Sequence, residues 1–190
     1  MTQTVERSNL YELFKQKAEA LAANVYRVKD LQEAGSLLTT LAEESGANKI
    51  AAASSPMVDE CLKNAKLKTA VHTEDLRKHA EEAHMGLSEV DMAVADIGSL
   101  QQDCTDLNKR LVSMLPNVHV ALIRSDAIVP TLKDAFNKLD AAKPNVPGYM
   151  AFITGPSRTS DIERVLTIGV HGPAELKIIF VDNPGGAVNG

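Results

Sequence analysis

Residues 151–173 read Ala-Phe-Ile-Thr-Gly-Pro-Ser-Arg-Thr-Ser-Asp-Ile-Glu-Arg-Val-Leu-Thr-Ile-Gly-Val-His-Gly-Pro. The mostly apolar run Tyr149–Thr154 has the length of a buried strand, and it ends at Gly155-Pro156, a signal for a change of chain direction. Hydroxyl, guanidinium and carboxylate groups follow at once over Ser157–Glu163, and a second apolar run follows at Val165–Val170. In an α/β sheet, ligands bind just beyond the carboxyl ends of strands. The polar residues of this stretch are therefore expected to occupy such a position.

Upstream of this stretch, helix and strand patterns alternate. Apolar residues at helical spacing predict an amphipathic helix over residues 9–22. Three further helices are predicted to begin at the caps Asp30, Ser55-Pro56 and Thr73, the last of them ending near Ala83. Short strand-like runs lie between the helices, at Asn24–Val28, Lys49–Ala53 and Lys68–His72. Strands that alternate with helices in this way predict a parallel sheet with right-handed crossovers.

The second half of the chain departs from this alternation. Strands are predicted at Met92–Ala95, Val118–Ile123 and Leu176–Val181. Leu100–Cys104 could return as a hairpin arm, and the polar segment Thr105–Arg110 is predicted to be a loop. Pro130 opens a further helix, which the Pro-bearing linker Ala141–Pro147 follows.

These patterns together predict an α/β fold, with a mostly parallel sheet flanked by helices. The prediction is one domain over residues 1–182, which includes an N-terminal helix within residues 1–22. Residues 183–190 are rich in glycine and are predicted to be a flexible C-terminal tail.

Composition excludes several classes of protein. The chain of 190 residues has a net charge of −5 and 44% hydrophobic residues, which argues against a general nucleic-acid binder. A polar N-terminus and the lack of a long apolar run predict neither a signal peptide nor a membrane span, so a cytoplasmic location is expected. The two cysteines, Cys61 and Cys104, are too few for an iron–sulfur cluster, which needs about four thiolates.

Three segments resemble the LUD domain of the lactate-utilisation protein C family. They are Gly155–Glu163 with Gly169–Pro173, then Glu89–Ser99 and Leu111–Val120. The resemblance is specific from about Gly86 to Asp182. It implies the fold shared by ribose-5-phosphate isomerase, glucosamine-phosphate deaminase and coenzyme A transferases. It also implies a role beside two iron–sulfur partner subunits in the oxidation of L-lactate to pyruvate.

Arg158 is the first candidate for ligand binding, because its planar guanidinium can bind a carboxylate or phosphate. Backbone N–H groups from Gly155 to Thr159 could add to an anion site if a helix begins near Ser160. Alternatively, Arg158 pairs with Asp161 or Glu163 and fixes the loop. The hydroxyls of Ser157, Thr159 and Ser160 could donate to the same anion, or they could cap a short helix over Asp161–Arg164. The carboxylate of Asp161 is likewise a candidate of the ligand site, or it meets the N-terminus of that helix.

Asp96-Ile-Gly-Ser99 is the second candidate site. An acid at a strand end lies next to Gly98, which lets a ligand approach the backbone, and Ser99 adds a hydroxyl. Members of the family resembled here usually have Glu-Thr-Gly-Thr at this place, so Asp96 keeps the acid on a shorter side chain. Coenzyme A transferases use a glutamate as acyl acceptor, and by analogy alone Asp96 is a weak catalytic candidate.

Histidines provide the remaining candidates. His171 precedes Gly172-Pro173, whose turn would bring it towards the site, so it is a possible ligand contact and a weak catalytic candidate. His119 lies within a predicted strand and is expected to be structural. The five histidines show no metal-binding spacing, and neither a bound metal nor a cofactor is expected.

Two function classes remain open. The chain could be an accessory subunit of a lactate-utilisation system that holds a small carboxylate through Arg158. It could instead be an independent enzyme or binder that acts on an anionic metabolite. Regulatory binding of nucleic acid is disfavoured by the negative charge. A pocket that joins Asp96, Arg158 and His171 would favour the independent enzyme, and an exposed apolar docking surface would favour the accessory subunit.

Overall fold

The computed structural model describes residues 2–160, 166–168 and 172–185. Its helices are α1 (Thr2–Ala20), α2 (Leu31–Glu44), α3 (Pro56–Asn64), α4 (Leu76–His79), α5 (Leu107–Met114) and α6 (Leu132–Ala141). Its strands are β1 (Asn24–Asp30), β2 (Lys49–Ala52), β3 (Ala70–His72), β4 (Met85–Glu89), β5 (Met92–Val94), β6 (Ser99–Asp103), β7 (Val118–Arg124), β8 (Ile128–Val129), β9 (Met150–Ile153), β10 (Arg158–Ser160), β11 (Leu166–Ile168) and β12 (Glu175–Asn183).

The main sheet has six strands in the order β1-β12-β7-β4-β2-β3, and all of its pairings are parallel. Its central strands are buried over nearly their whole length, as expected where both faces of a parallel sheet are covered. Helices α2 and α3 pack on one face over a core that includes Ile50, Leu87 and Val120. The α/β fold with a mostly parallel, helix-flanked sheet is therefore confirmed.

The other face is covered in two parts. Helices α4 and α5 pack near β2 around Leu76 and Val112. Helix α1 and a second sheet cover β7 and β12, where Phe14 and Phe180 meet edge to face with ring centroids 5.2 Å apart. This second sheet has four strands in the order β8-β5-β6-β9, and α6 packs on its outer side. The molecule thus has a subdomain with a mixed sheet, in which β5 and β8 are parallel and the other pairs antiparallel, on one face of a parallel sheet.

Local capping explains where several helices begin. The carboxylate of Asp30 accepts the N–H of Glu33 at 3.0 Å, and the hydroxyl of Ser55 accepts the N–H of Val58 at 3.2 Å, as the sequence predicts. Thr131, rather than Pro130, caps α6, and its side chain exchanges hydrogen bonds with Asp134 in a capping box. Each such cap satisfies N–H groups that the first helical turn leaves free.

Some predicted elements are wrong. Residues 105–110 are not a loop throughout, because Asp106 caps α5 and the helix runs from Leu107. The helix predicted from Thr73 to Ala83 is only the single turn α4. Strand β4, in the middle of the main sheet, is absent from the sequence prediction. Its Gly86 and Ser88 break the apolar pattern, yet both are fully covered by neighbouring elements.

The placement predicted for the polar stretch after Thr154 also needs correction. Strand β9, which leads into it, pairs antiparallel with β6 in the second sheet and lies outside the parallel sheet. Arg158–Ser160 then form β10, which pairs antiparallel with β11. The polar residues consequently do not follow a carboxyl end of the parallel sheet. The short helix predicted over Asp161–Arg164 and residues 186–190 of the predicted tail lie outside the described residues.

Candidate functional site

A cavity of about 330 Å³ lies between strand β9 and helix α5. Residues from both elements line it, together with the turn that follows β9 and two residues that precede β12. The lining residues are Cys104, Arg110, Ser113, Met114, Tyr149, Ala151–Ser157, Gly172 and Pro173. The backbone N–H of Ser157 donates to the carbonyl oxygen of Pro173 at 2.8 Å and joins two sides of the wall. The volume is sufficient for a small metabolite.

Arg110 supplies positive charge to this cavity. Its guanidinium carbon lies 4.9 Å from the centroid of the Tyr149 ring, within the range of a cation–π contact. Its Nε is buried, and among the described residues it has no hydrogen-bond partner. A buried guanidinium nitrogen without an acceptor costs free energy, and the guanidinium that carries it belongs to a residue of the cavity lining, where a cation attracts anions.

A buried chain of hydrogen bonds leads from the cavity wall into the main sheet. The Cys104 thiol donates to Oε1 of Gln102 at 3.3 Å, and Nε2 of Gln102 donates to the Ser88 hydroxyl at 2.8 Å. The Ser88 hydroxyl is in turn 2.9 Å from Nε2 of His119. These contacts tie β6 of the second sheet to β4 and β7 of the main sheet, directly behind the cavity.

The pKa values of Cys104 and His119, the two titratable groups in this series of hydrogen bonds, argue against nucleophilic chemistry at the cavity. Burial raises the pKa of the Cys104 thiol, so the thiol stays protonated at neutral pH. Complete burial lowers the pKa of His119 to about 4, so its ring is neutral. Ser88 and His119 are both fully enclosed, and a substrate has no access to them. The arrangement therefore supports binding at Arg110 rather than covalent catalysis.

Two glycines predicted for ligand binding, Gly98 and Gly155, lie close to α1 and to the turn that follows it. Gly98 has φ +61°, and a Cβ placed on it would lie 2.5 Å from the backbone nitrogen of Ala18. Gly155 has φ +70°, and its Cβ would lie 2.6 Å from the carbonyl oxygen of Leu21. Backbone of α1 approaches Gly98, and backbone of the turn directly after α1 approaches Gly155. The expectation that Gly98 admits a ligand to the backbone is not supported by this packing.

The structure brings some predicted site residues to the cavity. Gly155 and Ser157 line it. Ser99 lies behind the wall, where its hydroxyl is 2.7 Å from that of Thr154. Asp96 is exposed on the β5–β6 turn, its N–H donates to the carbonyl oxygen of Pro130 at 3.1 Å, and it does not line the cavity.

The residues around Arg158 are placed differently from the sequence prediction. The Arg158 side chain is exposed and is not part of the cavity lining. Arg158 and Thr159 lie in β10, paired with β11, so their backbone is part of a hairpin and not of an open anion-binding turn. Asp161 and His171 lie outside the described residues, as does Glu163, and their roles stay predictions.

Arg110 is the functional candidate that sequence reasoning missed. The polar composition of Thr105–Arg110 predicts a loop, and on a loop Arg110 is not singled out. A helical signal was present, since Asp106 is followed by apolar positions Leu107, Leu111 and Met114 at helical spacing. On a helix over these positions, Arg110 lies one turn before Met114 on the same side.

At the carboxyl edge of the main sheet, polar groups bind one another. Ser55 donates to the carboxylate of Glu89 at 2.6 Å, and Arg124 forms two hydrogen bonds with Asp126. Within residues 2–160, 166–168 and 172–185, no group of three or more His, Cys, Asp or Glu side chains could hold a metal ion. No helix in the described part of the chain is both long and apolar enough to cross a bilayer.

The main sheet has six parallel strands, a subdomain with a mixed sheet covers part of one face, and a cavity that contains Arg110 lies beside it. These features define an α/β domain with a cationic pocket. The model of the LUD domain family matches residues 11–181. The chain therefore belongs to the LUD domain family.

Curated relatives agree with this assignment. The chain is 36% identical over 109 residues to lactate utilization protein C 1 of Bacillus mycoides (strain KBAB4), a match covering 56% of this chain and 47% of the relative. It is 33% identical over 109 residues to lactate utilization protein C of Bacillus subtilis (strain 168), a match covering 56% and 45%. The matched part thus spans about half the length of these curated relatives.

A solved structure supports the fold. The crystal structure of a DUF162 family protein from Deinococcus radiodurans superposes with a TM-score of 0.66, covering 92% of this chain and 98% of that one. The two sequences are 17% identical, so this likeness describes the fold alone.

Proposed function

We propose that the chain binds a small carboxylate in the Arg110 cavity as an accessory component of a lactate-utilisation system. Its curated relatives are named lactate utilization protein C, which supports the pathway. The buried, unpartnered Nε of Arg110 within the described residues is the single observation on which the ligand class rests. Lactate and pyruvate each present a carboxylate that fits the paired N–H donors of a guanidinium.

The cavity suits such a ligand in three respects. Tyr149 packs against one face of the guanidinium, so the cation has a defined position while the edge of its plane remains available to a carboxylate. Ser157 adds a hydroxyl to the lining, which could bond the oxygen on the second carbon of lactate or pyruvate. The apolar residues Ile153 and Met114 of the lining could contact the methyl group of either acid.

Electron transfer is assigned to iron–sulfur partner subunits, as the family resemblance implies. This chain has two cysteines, both buried and without a disulfide, whereas a cluster needs about four thiolates. The proposed role of the chain is therefore to hold the carboxylate while partner subunits accept the electrons of the oxidation.

Isothermal titration calorimetry with L-lactate and with pyruvate tests the proposal. Arg110→Ala should weaken binding by about 10- to 100-fold, the loss expected for a charge-assisted hydrogen bond. Arg158→Ala is the matched control, because it removes an exposed arginine that does not line the cavity. Equal losses in both variants, or none in Arg110→Ala, would reject the site. Melting temperatures must show that both variants are folded.

An independent binder or enzyme acting on a larger anionic metabolite is the alternative, and the size of the cavity favours it. Lactate has six heavy atoms, and a space of about 330 Å³ is in the range of pockets that hold larger ligands. A thermal-shift series with sugar phosphates, coenzyme A and folates would separate the two. A ligand at about 100 times its dissociation constant adds about 2.7 kcal/mol to the free energy of unfolding. A shift with one of these and none with lactate or pyruvate supports the alternative.

A further inference from the structure

Within residues 2–160, 166–168 and 172–185, strand β9 is a sheet edge that no other strand covers. It is the last strand of the order β8-β5-β6-β9, and its sequence, Met150-Ala-Phe-Ile153, has no charge and no proline. Other edges of the two larger sheets differ. Strand β1 has the charged residues Arg27 and Lys29, while β3 and β8 have only three and two residues. Charged residues and short length are the usual means of preventing edge-to-edge pairing. Strand β9 has no charged residue, and with four residues it is longer than β3 and β8.

Exposed apolar side chains surround this edge. Phe152 on β9 contacts Phe136 on α6 with ring centroids 5.8 Å apart, and it lines the cavity together with Tyr149 and Met114. The side chains of Met114, Phe136, Tyr149 and Phe152, here named the β9 patch, are 56%, 51%, 52% and 38% exposed. Among the described residues, four of the six large exposed hydrophobic side chains belong to this patch. A contiguous set of this kind marks an interaction surface.

Backbone hydrogen bonding defines how a strand could be added. The N–H of Cys104 donates to the carbonyl oxygen of Tyr149 at 2.9 Å. Because the bonding direction alternates along a strand, Tyr149, Ala151 and Ile153 face β6, whereas Met150 and Phe152 direct their N–H and C=O groups outward. Only an antiparallel or parallel strand beside β9 satisfies these groups within a sheet.

We propose that a second copy of this chain occupies this edge, with the two β9 strands pairing antiparallel about a two-fold axis through Ala151. In this register, Met150 of one copy and Phe152 of the other are hydrogen-bonded partners, so each copy satisfies the outward groups of the other. Residues 149–154 are uncharged, so the two paired strands themselves bring no like charges together, although each copy has a net charge of −5. An isologous interface of this kind is the commonest in soluble oligomers. The inference does not depend on the carboxylate site.

Light scattering coupled to size exclusion tests the state of association. The unaltered chain should have the mass of two copies and dissociate on dilution. Phe136→Lys and Phe152→Lys should each raise the dimer dissociation constant by at least about tenfold. Ile97→Lys is the matched control, because it places the same charge on an exposed apolar residue outside the patch, and it should remain dimeric. Circular dichroism melts confirm that each variant is folded.

Cross-linking tests the register. Ala151→Cys places two thiols opposite each other at the axis, in a non-hydrogen-bonded pair whose Cβ atoms are about 4.5–5.5 Å apart, close to disulfide geometry. Mild oxidation should yield a covalent dimer, whereas Ile97→Cys should not, and the native cysteines are buried. A chain that is monomeric at every concentration, including one that binds a different protein through β9, overturns the proposal. The proposal is also overturned if both lysine variants leave the dimer intact, or if Ala151→Cys does not cross-link it.

Discussion

The guanidinium of Arg110 packs over the ring of Tyr149, with 4.9 Å between its central carbon and the ring centroid. Helix α5 supplies the arginine, and the residue before β9 supplies the tyrosine. The contact therefore joins helix α5, which packs on the main sheet, to the edge of the second sheet. The tyrosine is half exposed, which leaves water access to the cation from one side.

This contact gives a graded prediction for ligand affinity. Tyr149→Leu should weaken carboxylate binding by about two- to fivefold, because an exposed cation–π contact contributes about 0.5–1 kcal/mol. Tyr149→Phe keeps the ring and should bind as the unaltered chain does. Calorimetric titration with pyruvate measures both. A loss in Tyr149→Phe as large as that in Tyr149→Leu would show that the hydroxyl, rather than the ring, is responsible.

Gly98 and Gly46 form a matched pair for a stability test. Both have positive φ, at +61° and +63°, but a Cβ on Gly98 would clash with the backbone of Ala18, while no atom lies within 4 Å of one on Gly46. Gly46→Ala should lower the free energy of unfolding by about 1 kcal/mol, the cost of a left-handed alanine. Gly98→Ala should lower it further, by about 2 kcal/mol or more, since α1 must shift. Urea unfolding measures both, and equal losses would contradict the packing described.

Two adjacent buried glutamines differ in their bonding. Gln102 bonds Ser88 and Cys104, whereas both amide atoms of Gln101 are without a hydrogen-bond partner in the described part of the chain. Gln102→Leu should destabilise the fold by about 1–3 kcal/mol, because it leaves buried polar groups unpaired. Gln101→Leu should be neutral or stabilising, since it removes an unpaired buried amide. Opposite signs in denaturant unfolding confirm the difference, and a larger loss in Gln101→Leu would refute it.

His119 should make stability depend on pH. Burial lowers its pKa to about 4, whereas the unfolded chain protonates histidine near about 6.5. Between these values only the unfolded state binds the proton, so the free energy of unfolding falls as pH drops from about 6.5 to about 4, by at most about 3 kcal/mol. His119→Asn should show a shallower fall over the same window. Parallel pH dependences in the two proteins would exclude His119 as the cause.

Sequence reasoning succeeded where local chemistry decides the structure. The caps at Asp30 and Ser55 bond as their spacing indicates, and the apolar strand Val118–Ile123 is the buried core of β7. The family assignment from Gly155–Pro173 also succeeded, because a long motif identifies a family through its sequence alone.

It failed where tertiary packing overrides local pattern. Gly86 is compatible with a central strand because Val112 and Pro116 of the neighbouring segment pack directly against it, which no pattern within Met85–Glu89 shows. Strand β9 looked like a parallel core strand because its apolar composition does not distinguish a buried strand from an exposed edge. Arg110 does not stand out in the sequence because its cation–π contact is with Tyr149, which is 39 positions away in the chain.

The end of helix α1 and the turn after it contact two turns of the second sheet, through Ala18 near Gly98 and Leu21 near Gly155. Since neither glycine leaves room for a methyl group, the helix end and the two turns are in direct backbone contact at these points. The position of the helix along its axis therefore determines where Gly155 lies in the cavity wall. A displacement of α1 along its axis would change the shape of the pocket without altering any residue that lines it.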